Sequence, residues 1–222
     1  MDDDVPTARP GDNSKIDKRA KNVYVVDDDP GSRDLLIALF RTAKLKVKSF
    51  DSGKKFLDDL PAGKTGCIVL DVRLPGMTGF DVHKELIKRS IRLPVVFVTA
   101  HGDTRMAVRA MKAGAHDFVE KPIDTHEMLA IVRDALNRSA ENAAARGKKE
   151  DILTRIDQLT PRERDVLNLI AEGELNKQIA HRLGIAQRTV EVHRANIMEK
   201  MNARSAADLI RMVMTVEAFR GG

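Results

Sequence analysis

Between residues 23 and 136 the chain alternates two textures. Short, largely apolar runs recur at 23–26, 47–50, 67–70, 95–98 and 117–119. Each is followed by a longer stretch with apolar residues three or four apart. These are Leu35, Leu36 and Leu39; Phe56, Leu57 and Leu60; Val82, Leu86 and Ile87; Met106, Val108 and Met111; and Met128, Ile131, Val132 and Leu136. The runs have strand length and the stretches have helical period. Breakers separate them: Asp29-Pro30-Gly31, Asp51-Ser52-Gly53, Pro61-Ala62-Gly63, Pro75-Gly76, Gly114 and Lys121-Pro122. Five such units predict a doubly wound α/β fold with a five-stranded parallel sheet, its strands covered on both faces. Ligands in such folds bind beyond the C-terminal ends of the strands.

From residue 159 onward no strand-length run occurs. Thr160-Pro161-Arg162-Glu163 places Thr at an N-cap, Pro at the first helical position and Glu at the third. Three further helical stretches follow, at about 176–183, 186–201 and 205–216, punctuated by Gly173 and Gly184. The turn Gly184-Ile185-Ala186 joins two of them with helix-turn-helix spacing. The prediction is an all-α four-helix domain over 159–222. Residues 139–158 hold four basic and four acidic residues and little that is apolar. They read as a helical linker that continues the fifth helix, with Gly147 as a break and a second start at Asp151. Ile152 and Ile156 are left to pack locally or to pair with another chain. Residues 1–22 read as a flexible tail, and residues 23–138 as the α/β domain.

The chain has 222 residues, 42% of them hydrophobic and 32% charged, enough apolar material for packed cores. Trp is absent and aromatics are 4%, so those cores must be aliphatic. The single cysteine, Cys67, cannot form an internal disulfide, and in the third strand it reads as a buried small hydrophobe. No apolar run approaches the roughly 20 residues of a membrane span. The acidic start Met1-Asp2-Asp3-Asp4 is unlike a signal peptide. A cytoplasmic protein without a membrane partner is expected. The net charge of +5 points weakly to nucleic acid. Ten basic residues face eight acidic ones from 159 onward, and nineteen face sixteen over 23–138, so the charge is not concentrated on the helical domain.

Chemistry gathers at the predicted strand ends. Asp27, Asp28 and Asp29 follow the first strand, Asp71 the third, Thr99 the fourth and Lys121 the fifth. The first and third strands of a doubly wound sheet are neighbours, so these groups converge. Clustered carboxylates persist with a cation, and hard oxygen ligands suit Mg²⁺. Lys121 and Thr99 can hold an anion beside the metal, which is equipment for phosphoryl transfer onto a carboxylate. Each feature alone also has a structural reading: a turn, a helix cap or a strand terminus. Haloacid-dehalogenase-type phosphatases also use an Asp after a strand, but need a second Asp two residues on. That position is Arg73, which cannot exchange a proton at neutral pH. The six His show no metal-ligand pattern; His101 falls in the loop after Thr99.

In the third helix of the C-terminal part, Val190, Ile197 and Met201 share one face and should pack inward. The opposite face carries Arg188, Glu191, Val192 and Ala195, flanked by His193 and Arg194. In a helix-turn-helix that face enters the major groove and the flanks meet phosphates, with Lys177 and Arg182 as further backbone contacts. A protein-binding four-helix adaptor with a solvated charged face is the other reading.

Val25-Val26-Asp27-Asp28-Asp29, Val69-Leu70-Asp71-Val72-Arg73-Leu74-Pro75-Gly76-Met77, Val98-Thr99-Ala100 and Lys121-Pro122 resemble the receiver domains of two-component response regulators, over about 23–138. The resemblance implies that Asp71 is phosphorylated by a histidine kinase. It implies Asp27, Asp28 and Asp71 as Mg²⁺ ligands with the Arg73 backbone carbonyl, Asp28 binding directly, Asp27 through water and Asp29 outside the set. It implies that Thr99 bonds the phosphoryl group and draws Phe118 inward, that Lys121 neutralises charge and that Lys121–Pro122 is cis. Many receivers have Tyr where Phe118 stands, so the switch here would work by packing alone. Leu159-Thr160-Pro161-Arg162-Glu163-Arg164-Asp165-Val166-Leu167, Asn176-Lys177-Gln178-Ile179-Ala180 and Thr189-Val190-Glu191-Val192-His193-Arg194 resemble a LuxR-type helix-turn-helix over about 159–214. Together they resemble the NarL/FixJ-type response regulators, FixJ-like branch. That implies a recognition helix beginning near Gln187, with Glu191 and Val192 toward base edges. Lys177, Arg188, Thr189, His193 and Arg194 complete the DNA contacts.

The function implied is that of a phosphorylation-activated, DNA-binding transcriptional regulator. It is not an enzyme beyond its own phosphorylation and dephosphorylation. The partners implied are double-stranded DNA, a histidine kinase, RNA polymerase and, on phosphorylation, a second copy paired through about 104–119. The alternative is a phosphorylation-independent DNA binder whose receiver is only a dimer module.

Overall fold

The computed structural model of the chain describes residues 22–60, 65–100 and 104–217. The expected tail up to residue 21, the Pro61-Ala62-Gly63 breaker and His101 lie outside them. The chain divides into two compact units, one up to Glu141 and one from Asn142.

The first unit runs β1 (Asn22–Val26), α1 (Pro30–Thr42), β2 (Lys46–Phe50), α2 (Gly53–Asp59), β3 (Gly66–Asp71), α3 (Gly79–Lys88), β4 (Val95–Thr99), α4 (Thr104–Lys112), β5 (Asp117–Glu120) and the start of α5 (Thr125–Asp157). The five strands are parallel in the order β2-β1-β3-β4-β5. That order reverses direction between β1 and β3, where a doubly wound sheet opens its ligand crevice. Successive strand residues point to opposite faces, so an unbroken apolar run feeds two cores. Tyr24, Val26, Ile68, Leu70, Val95 and Phe97 pack with α2, α3 and α4. Val23, Val25, Cys67, Val69, Val96 and Val98 pack with α1 and α5. Burial pushes the Cys67 thiol above its ordinary pKa, as suits a small hydrophobe.

Two expectations change. β2 is an edge strand and is not covered on both faces: Lys46, Lys48 and Ser49 are exposed, and charged edge residues discourage pairing with another sheet. Leu35, Ile87, Val108 and Met111 are exposed although they fit the helical period. A single face buries one stripe, and these residues lie beside it. In α4 that stripe reduces to buried Ala110, and the Arg109 guanidinium adds a contact 4.5 Å above the Phe80 ring.

The second unit contains the last turns of α5, then α6 (Pro161–Ala171), α7 (Asn176–Leu183), α8 (Gln187–Met201) and α9 (Ala206–Glu217). Thr160 and Glu163 form the predicted capping box. Gly184, with φ of 65°, ends α7 in the left-handed conformation that favours glycine. Val166, Ile179, Val190, Ile197, Met201 and Leu209 form the core, joined by Ile152 and, at its margin, Ile156. These two isoleucines therefore pack locally. The expected break at Gly147 and restart at Asp151 do not occur: α5 is helical throughout, and a Cβ at Gly147 would meet nothing within 4 Å. Near residue 139 the same helix is tied to the sheet, because the Gly66 N–H donates to the buried Ser139 Oγ at 3.0 Å. No helix among the described residues is long and apolar enough to cross a membrane.

Glu163 is buried, and Lys200 Nζ donates to its Oε2 at 2.7 Å. That ammonium first, then the Thr160 N–H and hydroxyl, outweigh burial and hold the carboxyl down to about 2. An unfolded Glu titrates near 4.3, so this contribution is present above about pH 4.3 and is lost as pH falls toward 2. Glu163→Gln should cost the helical unit about 1–2 kcal/mol at pH 7 in urea denaturation, and the difference from wild type should shrink as the pH is lowered through that window.

Candidate functional site

The register of the sheet builds the acidic pocket. β1 and β3 pair from Asn22 with Gly66 to Val26 with Leu70, so the next residues, Asp27 and Asp71, face each other where the strands end. Thr99 closes β4, and the Lys121 N–H donates to its carbonyl at 2.8 Å. Asp27, Asp71 and Thr99 are buried and Asp28 is exposed. One carboxylate oxygen from each of Asp27, Asp28 and Asp71 lies within 4.8 Å of the others. Lys121 Nζ spans the pocket, 2.9 Å from Asp27 Oδ2 and 2.8 Å from Asp71 Oδ2.

The electrostatics follow from that bridge. Burial works against the charge of Lys121, but its two carboxylate partners prevail and raise its pKa. Asp71 is raised chiefly by burial, with nearby Asp27 adding to it, against the Lys121 and Arg73 hydrogen bonds that favour the anion. Three carboxylates around one ammonium leave uncompensated negative charge. The donors are all oxygen, and one side is open to water. This set fits a hard divalent cation such as Mg²⁺.

Backbone groups fix the two buried carboxylates. Arg73 N–H donates to Asp71 Oδ1 at 2.7 Å, and Asp29 N–H to Asp27 Oδ1 at 3.0 Å. Asp29 itself is exposed and outside the cluster, as expected, but it serves the loop in another way. Its Oδ2 accepts the Ser32 N–H at 2.7 Å and caps α1. Lys121–Pro122 is cis. Phe118 pairs with Phe97 in register and is partly buried against the α3–α4 side of the sheet. The Arg73 side chain is exposed.

Three further residues of the site carry no signal that singles them out in the sequence. Ser32 Oγ donates to Asp27 Oδ2 at 2.6 Å, and Arg33 reaches the Asp27 and Asp28 carbonyls at 2.8 and 3.3 Å. The third is Gly79, where a Cβ would sit 2.3 Å from the Asp71 carbonyl oxygen. Only the capping motif Thr78-x-x-Asp81 hints that α3 starts so close to Asp71.

In the second unit, Val190, Ile197 and Met201 are fully buried, as their spacing predicts. Arg188, Thr189, Glu191 and Val192 are exposed, and His193 and Arg194 partly so. Lys177 is exposed near the start of α7 and, with Gln187 and Arg194, lines a groove of about 630 Å³. Arg182 differs from expectation: it is paired with Glu172 at 2.9 Å and with Glu174, so its charge is compensated within the domain.

The family model of the response regulator receiver domain matches residues 23–133, and that of the bacterial regulatory proteins of the luxR family matches residues 157–213. Nodulation protein W of Bradyrhizobium diazoefficiens is 44% identical over 194 residues, 87% of this chain and 86% of that protein. Transcriptional regulatory protein FixJ of Azorhizobium caulinodans is 45% identical over 192 residues, 86% and 91% of the two chains. The solved structure of response regulator StyR superposes with a TM-score of 0.79 at 44% identity, covering 87% of this chain and 98% of that one. The chain therefore belongs to the two-component response regulators that join a receiver to a LuxR-type helix-turn-helix. Within them it falls in the FixJ-like branch. It is a phosphorylation-activated transcriptional regulator, and its partners are a histidine kinase and DNA.

Gly79→Ala forces backbone apart at Asp71. It should cost about 1–3 kcal/mol in chemical denaturation, with chemical-shift changes centred on residues 71–73, whereas Gly147→Ala should not destabilise the protein.

Proposed function

We propose that Asp71 is the phosphoacceptor, and the observation that carries this is the Lys121 bridge between Asp27 and Asp71. A carboxylate and a phosphoryl group repel each other, so transfer needs positive charge at the reacting atoms. Bound Mg²⁺ would neutralise the phosphoryl oxygens. Asp28, whose carboxylate accepts no hydrogen bond among the described residues, would hold the ion directly. Asp27, already accepting three donors, would act through water, and the Arg73 carbonyl would complete the protein ligands. An Asp71 oxygen attacks phosphorus as the bond to the kinase's histidine nitrogen breaks. Lys121 moves from the carboxylate to a phosphoryl oxygen, and the Thr99 hydroxyl bonds another. Phe118 then packs inward, with no hydroxyl to satisfy. The chemistry is confined to the protein's own phosphorylation and dephosphorylation.

We assign the receiver to 23–138, the linker to 139–158 and the effector domain to 159–222. Phosphorylation pairs two receivers through about 104–119. Two α8 helices then address sites about one DNA turn apart. Glu191 and Val192 meet base edges, while Lys177, Arg188, Thr189, His193 and Arg194 hold the backbone. RNA polymerase is the downstream partner, and the cytoplasm is the compartment that holds it.

Acetyl phosphate with Mg²⁺ should phosphorylate the wild type and leave Asp71→Asn unmodified in intact-protein mass spectrometry. Beryllium fluoride should double the sedimenting mass of wild type only and raise DNA affinity with it. Equal DNA affinity with and without the mimic would favour a phosphorylation-independent binder. In salt titrations of DNA binding, Lys177→Ala should flatten the slope of log affinity against log salt by about 0.9.

A further inference from the structure

We infer that Ser32 and Arg33, on the first turn of α1, are positioning residues for the cation site, an inference that rests on the Mg²⁺ reading above. Asp27 is a buried carboxylate held by three donors. Its Oδ1 accepts the Asp29 N–H at 3.0 Å, while its Oδ2 accepts Ser32 Oγ at 2.6 Å and Lys121 Nζ at 2.9 Å. These donors differ in permanence. Lys121 is shared with Asp71 and is the group that must leave to meet an incoming anion. Ser32 has no such second duty. Its own N–H is fixed to Asp29 Oδ2 at 2.7 Å, which presets where the hydroxyl stands. Among the donors described on Oδ2, Ser32 is the one that remains when Lys121 turns away, and it keeps Asp27 from rotating. Being neutral, it stabilises the anion without adding charge that would repel a cation.

Arg33 acts on the loop. One guanidinium nitrogen reaches the carbonyls of both Asp27 and Asp28, at 2.8 and 3.3 Å. That clamp fixes the peptide from which the exposed Asp28 side chain departs. Outer-shell partners of this kind set the affinity of a metal site without touching the ion. A lysine keeps the charge, but its Nζ stands one bond nearer the backbone than the guanidinium nitrogen that makes both contacts.

The test is Mg²⁺ titration of the full-length protein by isothermal calorimetry, with melting in EDTA as the folding control. Ser32→Ala should weaken Mg²⁺ by about 10–100-fold and Ser32→Thr should restore it; Arg33→Lys should weaken it while melting close to wild type. Asp28→Asn, a direct ligand, should abolish the heat signal. Wild-type affinity in Ser32→Ala, or a Ser32→Thr as weak as the alanine, overturns the role of the hydroxyl, and wild-type affinity in Arg33→Lys overturns the clamp. If wild type itself binds no Mg²⁺, the cation reading fails and this inference fails with it. Binding in wild type that only Asp28→Asn removes leaves the cation site standing and sinks the outer shell alone.

Discussion

One ammonium holds the receiver's working end together. Lys121 lies within 3 Å of two carboxylates at the ends of neighbouring strands, and both of those carboxylates are buried. Removing one partner from such a pair strands a buried charge, which is far costlier than the pair is stabilising. The rest of the crevice serves this contact. The parallel register brings Asp27 opposite Asp71, Gly79 lets α3 start against the Asp71 carbonyl, and the Thr99 carbonyl anchors the Lys121 backbone. The arrangement is electrostatically unbalanced, with three carboxylates to one cation, so it favours the binding of positive charge, and the proposed transfer hands Lys121 to an anion.

Much of this is legible in the residues. Strands buried on both faces leave unbroken apolar runs, so β1, β3 and β4 can be placed from sequence, and the groups after them share one sheet edge by topology. The capping box at Thr160 and the inward faces of α8 are readable for similar reasons: their rules are local. What stays hidden depends on the third dimension. Leu35, Ile87, Val108 and Met111 fit a helical period and are exposed, because period does not say how wide a stripe the sheet will cover. Gly79 looks like an ordinary helix-start glycine until the Asp71 carbonyl is beside it. Ser32 and Arg33 look like surface residues of a first turn until their partners are seen to be Asp27 and Asp28 in the acidic loop. Arg182 looks free to meet DNA, and two glutamates from the preceding loop claim it.

The helical unit makes its case by shape more than by charge. Its net charge is small, and several of its cations, Arg155, Arg182 and Lys200 among them, are committed to internal contacts. Arg188 on α8 and Lys177 at the start of α7 are exposed and form no ion pair among the described residues, and the same holds for Arg204 and Lys148 elsewhere in the unit. On the proposed reading of α8, attraction to DNA rests on few phosphate contacts, and discrimination on Glu191, Val192 and their neighbours.

The two units have separate hydrophobic cores, and α5 contributes to both: Met128, Val132 and Leu136 to one, Ile152 to the other. Between 141 and 151 no residue of that helix is buried. A chain built this way has no single free energy of unfolding. Each core melts on its own terms, and the helix between them reports whichever end is still folded. A melting curve followed by helical signal alone therefore mixes two transitions with the fraying of their shared helix, and a mutational effect on one core must be read with a probe that belongs to that core.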